Sequence, residues 1–302
     1  MTASPARSWI LASRPHTLPA SLAGVVAGLG VALGGGMSGA GASGAAFRPD
    51  TAIECILAAL LLQVFANLAN DLSDFGRGAD TPDRLGPTRA VAAGLISPRA
   101  MKAGMFAVAA VTAADGLLLT LAGGPAILAL GIAAVIAALA YTGGPWPFGY
   151  KGLGELFVFA FFGPVCVVGT AYLQSGRFDP LYLVAAVPAG AFGVAILTTN
   201  NLRDVDTDRS AGKRTLAVRF GRGFARAEYV VSCLAAWLAA VACAAWHPLA
   251  LATLALVPAT LPLLRTVMAD GDPRRLNVVL KQTGRLGLAF AIVFAASLAI
   301  RF

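Results

Sequence analysis

Charge is scarce in this 302-residue chain: Asp, Glu, Lys and Arg make up 13% of it, against 58% hydrophobic residues and a mean hydropathy of +0.75. A soluble domain clothes its surface with about a quarter charged residues, so that class is excluded and the chain reads as an integral membrane protein. Histidine is nearly missing. His16 and His247 are the only two, and neither has a partner carboxylate nearby in sequence, so no acid–base role is assigned to them. Cysteine is as sparse: Cys55, Cys166, Cys233 and Cys243 sit singly in apolar stretches without a C-x-x-C pair, and read as small core residues. Met1–Ser13 lacks a basic start running directly into an apolar core and a cleavage site, which predicts that the first span itself directs insertion.

What is present is apolar length. About 20 residues of helix cross the roughly 30 Å hydrocarbon layer, and nine stretches qualify, near 17–35, 52–70, 99–121, 124–141, 153–173, 180–199, 227–246, 248–268 and 284–301. They predict an all-α membrane protein with nine transmembrane helices in a single domain spanning 1–302. Basic residues accumulate on the cytoplasmic side of membranes. With the N-terminus placed there, all 23 Lys and Arg residues sort to that side except Arg48, Arg177 and Arg301. The formal charge of +8 is thereby explained as topology, and nucleic acid is not expected as a partner. The 34 glycines suit closely packed membrane helices. Residues 35–50, rich in Gly, Ser and Ala, read as a flexible external loop.

The few acids are not scattered. Asn67-Leu-Ala-Asn70-Asp71-Leu-Ser-Asp74, continuing to Asp80, closes the second apolar run, and Asn200-Asn201-Leu-Arg-Asp204-Val-Asp206-Thr-Asp208 closes the sixth. At helical spacing Asn67, Asn70, Asp71 and Asp74 share one stripe, repeated by Asn200, Asn201, Asp204 and Asp208, while Asp206 points away. Carboxylates gathered at two facing helix ends repel unless something positive sits between them. Hard oxygen and amide donors suit Mg²⁺, which takes one or two carboxylates and completes its shell with water and phosphate. Loops of similar plan follow both clusters, at 71–98 and 200–226. They present Arg77, Arg84 and Arg89 after the first and Arg209, Lys213 and Arg214 after the second. Arginine and lysine beside a carboxylate-bound Mg²⁺ are suited to a diphosphate.

These residues, with Arg14-Pro15-His16-Thr17-Leu18-Pro19, Tyr141-Thr142-Gly143-Gly144, Gly149-Tyr150-Lys151-Gly152-Leu153-Gly154-Glu155 and Gly212-Lys213-Arg214-Thr215-Leu216, resemble the UbiA superfamily of membrane prenyltransferases over nearly the whole chain. Many members carry the last carboxylate of the first motif where this chain has Gly78. Its displacement to Asp80 resembles the branch acting on 1,4-dihydroxy-2-naphthoate in menaquinone biosynthesis.

The resemblance implies a nine-helix bundle around a central cavity, open to the lipid through a lateral gap, in the bacterial cytoplasmic membrane with its site facing the cytoplasm. It implies two Mg²⁺ ions, a polyprenyl diphosphate donor and a dihydroxynaphthoate acceptor, joined with loss of CO₂ and diphosphate to give demethylmenaquinone. Metal ligands would be Asp71, Asp74, Asp80, Asp204 and Asp208, with Asn70, Asn200 and Asn201 orienting them or binding phosphate. Arg77, Arg84, Arg209 and Lys213 would clamp the diphosphate, and Lys151 would meet the acceptor carboxylate or the diphosphate. A 4-hydroxybenzoate or homogentisate acceptor stays open. The rival of another class is an ion-coupled transporter. Both clusters lie at one face rather than at the midplane, contrary to that class, and although Pro188 falls within the sixth run no proline falls within the second.

Overall fold

The computed structural model describes residues 4–38, 47–79 and 85–300. Asp80, Arg84 and residues 39–46 of the 35–50 segment lie outside the described residues. No strand occurs among the described residues. A short helix α1 (Pro5–Ser13) precedes α2 (Leu18–Gly34), α3 (Pro49–Gly76), α4 (Pro98–Gly123) and α5 (Pro125–Ala140). Helices α6 (Gly154–Ala160) and α7 (Cys166–Ser175) are two halves of one span, joined by a π turn at Phe161–Val165 that contains Pro164. Then come α8 (Leu181–Arg203), the short α9 (Val205–Ser210), α10 (Leu216–Cys243), α11 (Val257–Met268) behind a 3-10 segment Pro248–Leu256, and α12 (Leu276–Ala299).

Eight segments among the described residues are long and apolar enough to cross a membrane. The ninth, α5, has 16 residues and a length of about 24 Å at 1.5 Å per residue. The chain is a multi-pass membrane protein of all-α architecture. Proline sits in the first turn of α1 to α5, where its missing N–H would have had no helical partner. Ser97 and Thr215 cap α4 and α10 by accepting from the Ala100 and Val218 amides. Four helices run past the ends that apolar content marks: α3 reaches Gly76, α8 reaches Arg203, α10 begins at Leu216 and α12 begins at Leu276. Their added turns are polar but helical, apart from a break at Gly221 of α10 where φ is 87°, which is why hydropathy alone stops short of them.

Helices α2, α7, α8, α10 and α12 share the largest buried cluster, which includes Val31, Val167, Tyr182, Phe192, Tyr229 and Phe290. Small residues bring these backbones together. A Cβ built on Gly30 of α2 would stand 2.3 Å from Ala295 Cα on α12, and one on Gly190 of α8 would meet Phe159 O at 2.8 Å. Helices α10, α11 and α12 thus buttress one side, while α2 to α8 enclose a cavity on the other. Replacement of Gly30 by Leu is expected to force α2 off α12 at a cost of about 1–3 kcal/mol. A lowered Tm in detergent checks this, with Gly131→Leu as the control, because a Cβ there meets nothing within 4 Å.

Candidate active site

The cavity occupies about 880 Å³, near the upper end for small-molecule sites. On α3 alone its wall runs from Asp74 to Cys55, about 28 Å of helix. One end is polar, where Asn70, Asp74, Asn200, Asn201, Asp204 and Asp208 meet Arg89 and Lys213. The remainder is apolar and aromatic. Tyr141, Phe148, Phe157 and Phe161 form a ladder down one wall, Phe148 and Phe157 being stacked with centroids 4.0 Å apart. Leu128, Ile132 and Ile136 of α5 line the cavity and are exposed as well. Helix α5 packs on α3 and α4 but barely touches α6 and α7, so the cavity opens sideways beside it, onto lipid in a bilayer.

The polar end exists because α3 carries Asp71 and Asp74 in its last turns, while Asp204 caps α8 and Asp208 lies on α9 just beyond it. Asp74 is 1% exposed. Its Oδ2 pairs with Arg89, its Oδ1 accepts from the Tyr150 hydroxyl at 2.6 Å, and Lys213 Nζ lies 3.9 Å from Oδ1. The same ammonium is 3.5 Å from Asp208 and 4.8 Å from the Tyr150 ring centroid, a spacing that supports cation–π attraction. Across the site Asp204 accepts from both Nε and Nη2 of Arg203, at 2.8 and 2.5 Å. Arg203 is 1% exposed and also donates to Asn200 and Asn277, tying α8 to α12. A Cβ on Gly86 would sit 2.6 Å from its Nη2, so the 85–87 turn closes directly over this guanidinium. Asn70 accepts from the Thr142 hydroxyl at 2.9 Å, and Asn201 donates to Glu155 at 2.8 Å. Burial and the nearby carboxylates of Glu155, Asp74 and Asp208 push the Tyr141 phenol above its ordinary range, so it remains a neutral wall residue.

Of the sequence candidates, Asp74, Asn70, Asn200, Asn201, Asp204, Asp208 and Lys213 meet at the cavity. Asp71 does not line it; both its oxygens accept backbone amides, from Ala90 at 2.9 Å and Val91 at 3.1 Å. Arg77 donates to the carbonyls of Thr142, at 2.9 Å, and Gly144, holding the 142–144 turn. Lys151 and Arg209 are exposed outside the cavity. Asp206 is exposed, as its spacing implied, and pairs with Arg222 at 2.7 Å. Sequence reasoning did not single out Tyr150 or Arg203. Tyr150 lies within a quoted motif, whereas Arg203 was one of seven basic residues in a loop whose charge topology already explained.

The donor set fits a divalent ion that is shared with a substrate. No group of three His, Cys, Asp or Glu side chains converges among the described residues, but two carboxylates, from Asp74 and Asp208, converge on one point marked by Lys213. One or two carboxylates completed by water and phosphate is the usual Mg²⁺ arrangement. Because Asp71 holds the 90–91 turn that carries Arg89, Asp71→Ala is expected to destabilise the protein by about 3 kcal/mol. It should also speed proteolysis between 85 and 95. Asp206→Ala should do neither; cleavage and Tm measured side by side check both outcomes.

A profile of the UbiA prenyltransferase family matches residues 29–284. The 1,4-dihydroxy-2-naphthoate octaprenyltransferase of Mycobacterium tuberculosis is 38% identical over 291 residues, covering 96% of each chain. The protein of the same name from Escherichia coli is 34% identical over 300 residues, covering 95% of this chain and 94% of its own. Among solved structures, a UbiA homolog from Archaeoglobus fulgidus bound to GPP and Mg²⁺ superposes with a TM-score of 0.60 at 17% identity, over 97% of this chain and all of that one. The acids and cations at the mouth of a side-opening apolar cavity, and relatives matched almost end to end, lead to one conclusion: the chain belongs to the UbiA prenyltransferase family and is a membrane prenyltransferase.

Proposed function

We propose that the protein transfers a polyprenyl group from its diphosphate to 1,4-dihydroxy-2-naphthoate at the cytoplasmic face of a bacterial inner membrane. The observation that carries this reading is a single cavity whose polar end joins Asp74, Asp208 and Lys213, and whose apolar remainder opens sideways. A diphosphate with a long hydrocarbon tail matches both halves at once. The acceptor is supported by relatives named for dihydroxynaphthoate at 34–38% identity over nearly full length. Magnesium is supported by the Archaeoglobus homologs bound to prenyl diphosphates with Mg²⁺ and by the oxygen donors described above. The cytoplasmic orientation is supported by the sorting of Lys and Arg.

In this reading Asp74 and Asp208 would hold Mg²⁺ with the donor diphosphate, and Asn70 and Asn200 complete the polar rim. A second ion would fall to Asp204, which must first release Arg203, together with Asp80. Bound Mg²⁺ supplies charge neutralisation of the departing diphosphate, which lets the allylic C–O bond ionise. Lys213 and Arg89 add positive charge on the same side. The aromatic ladder presents π faces to the allylic cation and an apolar wall that excludes water from it. The electron-rich ring then forms the new C–C bond at its carboxyl-bearing carbon. That carbon's bond to the carboxylate breaks, CO₂ departs with diphosphate, and the ring is left as the prenylated naphthoquinol, the reduced form of demethylmenaquinone. Asp71 and Arg77 serve this chemistry by fixing the 90–91 and 142–144 turns.

Purified protein with Mg²⁺, a polyprenyl diphosphate and a panel of aromatic acids should form product with dihydroxynaphthoate and little with 4-hydroxybenzoate or homogentisate. Preference for either of the latter would overturn the acceptor assignment. EDTA should abolish turnover and Mg²⁺ restore it. Asp74→Ala and Asp208→Ala should each lose at least about 10²–10³-fold in kcat while remaining inserted, and substantial activity in both would contradict the metal assignment.

A further inference from the structure

Lys213 lies beside both carboxylates that would hold an ion shared by Asp74 and Asp208. Its Nζ is 3.9 Å from Asp74 Oδ1 and 3.5 Å from Asp208 Oδ1, with the Tyr150 ring 4.8 Å away. Mg²⁺ contacts its oxygens at about 2.0–2.1 Å, so a dication on these two oxygens would leave the ammonium within a few ångströms of it, in a site too enclosed to screen the repulsion. On its other oxygen Asp74 is already paired with Arg89. The acids are thus offset by the chain's own cations, and a divalent ion arriving alone must displace Lys213 from its carboxylates.

The geometry of the segment allows that expulsion. The Lys213 amide donates to the Asp208 carbonyl at 2.9 Å, and Gly212 before it adopts a left-handed φ of 74°. The backbone is thereby fastened to α9, while the ammonium rides on a flexible four-carbon stem. A diphosphate brought in with the metal would give that ammonium a new partner a short swing away.

We propose that Lys213 is an internal stand-in cation that makes divalent-metal binding conditional on the diphosphate. Metal and prenyl diphosphate bind as a pair, and Lys213 transfers from Asp74 and Asp208 to the diphosphate oxygens as they do. Lys213 is then a positioning residue before binding and a substrate contact after it. The coupling is reciprocal: diphosphate raises metal affinity by the factor by which metal raises diphosphate affinity. This inference rests on the metal–diphosphate reading of the site.

The test is Mn²⁺ binding followed by electron paramagnetic resonance on the full-length protein in detergent, at buffered free Mn²⁺, with and without inorganic pyrophosphate. Wild type is expected to bind Mn²⁺ weakly alone and on the order of ten- to a hundredfold more tightly with pyrophosphate. In Lys213→Gln the affinity for Mn²⁺ alone should rise and the pyrophosphate effect should shrink towards none, while Lys213→Arg should keep wild-type coupling. An undiminished pyrophosphate effect in Lys213→Gln, or no gain in its affinity for Mn²⁺ alone, would overturn the stand-in role and leave the metal site itself intact. Absence of Mn²⁺ binding to wild type even with pyrophosphate would overturn the metal reading and this inference together. Should Lys213→Gln not fold, wild type alone decides, because Mn²⁺ affinity indifferent to pyrophosphate is incompatible with the proposal.

Discussion

Everything at the polar end of this bundle depends on keeping buried carboxylates compensated. An unpaired carboxylate in so enclosed a place costs several kcal/mol, and the structure answers with a cation for each aspartate that lines the cavity: Arg89 on Asp74, Arg203 on Asp204, and Lys213 between Asp74 and Asp208. These pairings also organise the chain. Arg89 arrives on a turn fastened by Asp71, Arg203 joins α8 to α12 through Asn277, and Lys213 is carried by the turn that follows α9. The charges that could handle a metal and a diphosphate are therefore the same ones that close the helix ends over the cavity.

The apolar half follows from a different constraint. Helices α2, α7, α8 and α12 approach through glycine and alanine until their backbones nearly touch, which leaves no room for a ligand between them. Helix α5, short and exposed, packs mainly on α3 and α4, and the space it leaves beside α6 and α7 becomes the slot. A proline-bearing π turn at 161–165 lies on the opposite side of that slot, with Phe157 and Phe161 facing the cavity. A rigid side and an open side in one bundle suit a substrate whose tail never leaves the hydrocarbon.

Much of this was legible in sequence, for identifiable reasons. Apolar length gave the spans, and two acidic clusters ending apolar runs gave the site. What hydropathy could not see was helix made of polar residues, so the last turns of α3 and α8 and the first of α10 and α12 were missed, along with the short α1 and α9. The stripe of Asn70, Asp71 and Asp74 was visible, but its division was not. Asp71 and Asp74 are about 60° apart around a helix, close enough to look equivalent, and only the distant 90–91 turn, folding back onto Asp71, separates them. Arg77 stands out in sequence as a diphosphate clamp rather than as a backbone clasp, and Arg203 is hidden by the general excess of basic residues at that end. Their roles as backbone clasp and buried hub rest on long-range contacts that residue spacing does not encode.

The central claim is that Asp74 on α3 and Asp208 on α9 together hold a divalent ion at the mouth of the cavity. Its most direct test is a crystal or cryo-cooled lipidic-phase structure grown with Mn²⁺ and a non-hydrolysable prenyl thiolodiphosphate, with data collected at the manganese edge. The account predicts an anomalous peak within coordination distance of both carboxylates, with the diphosphate beside it and the tail along the Phe157 wall. Diphosphate bound with its manganese peak elsewhere, touching neither Asp74 nor Asp208, would contradict it.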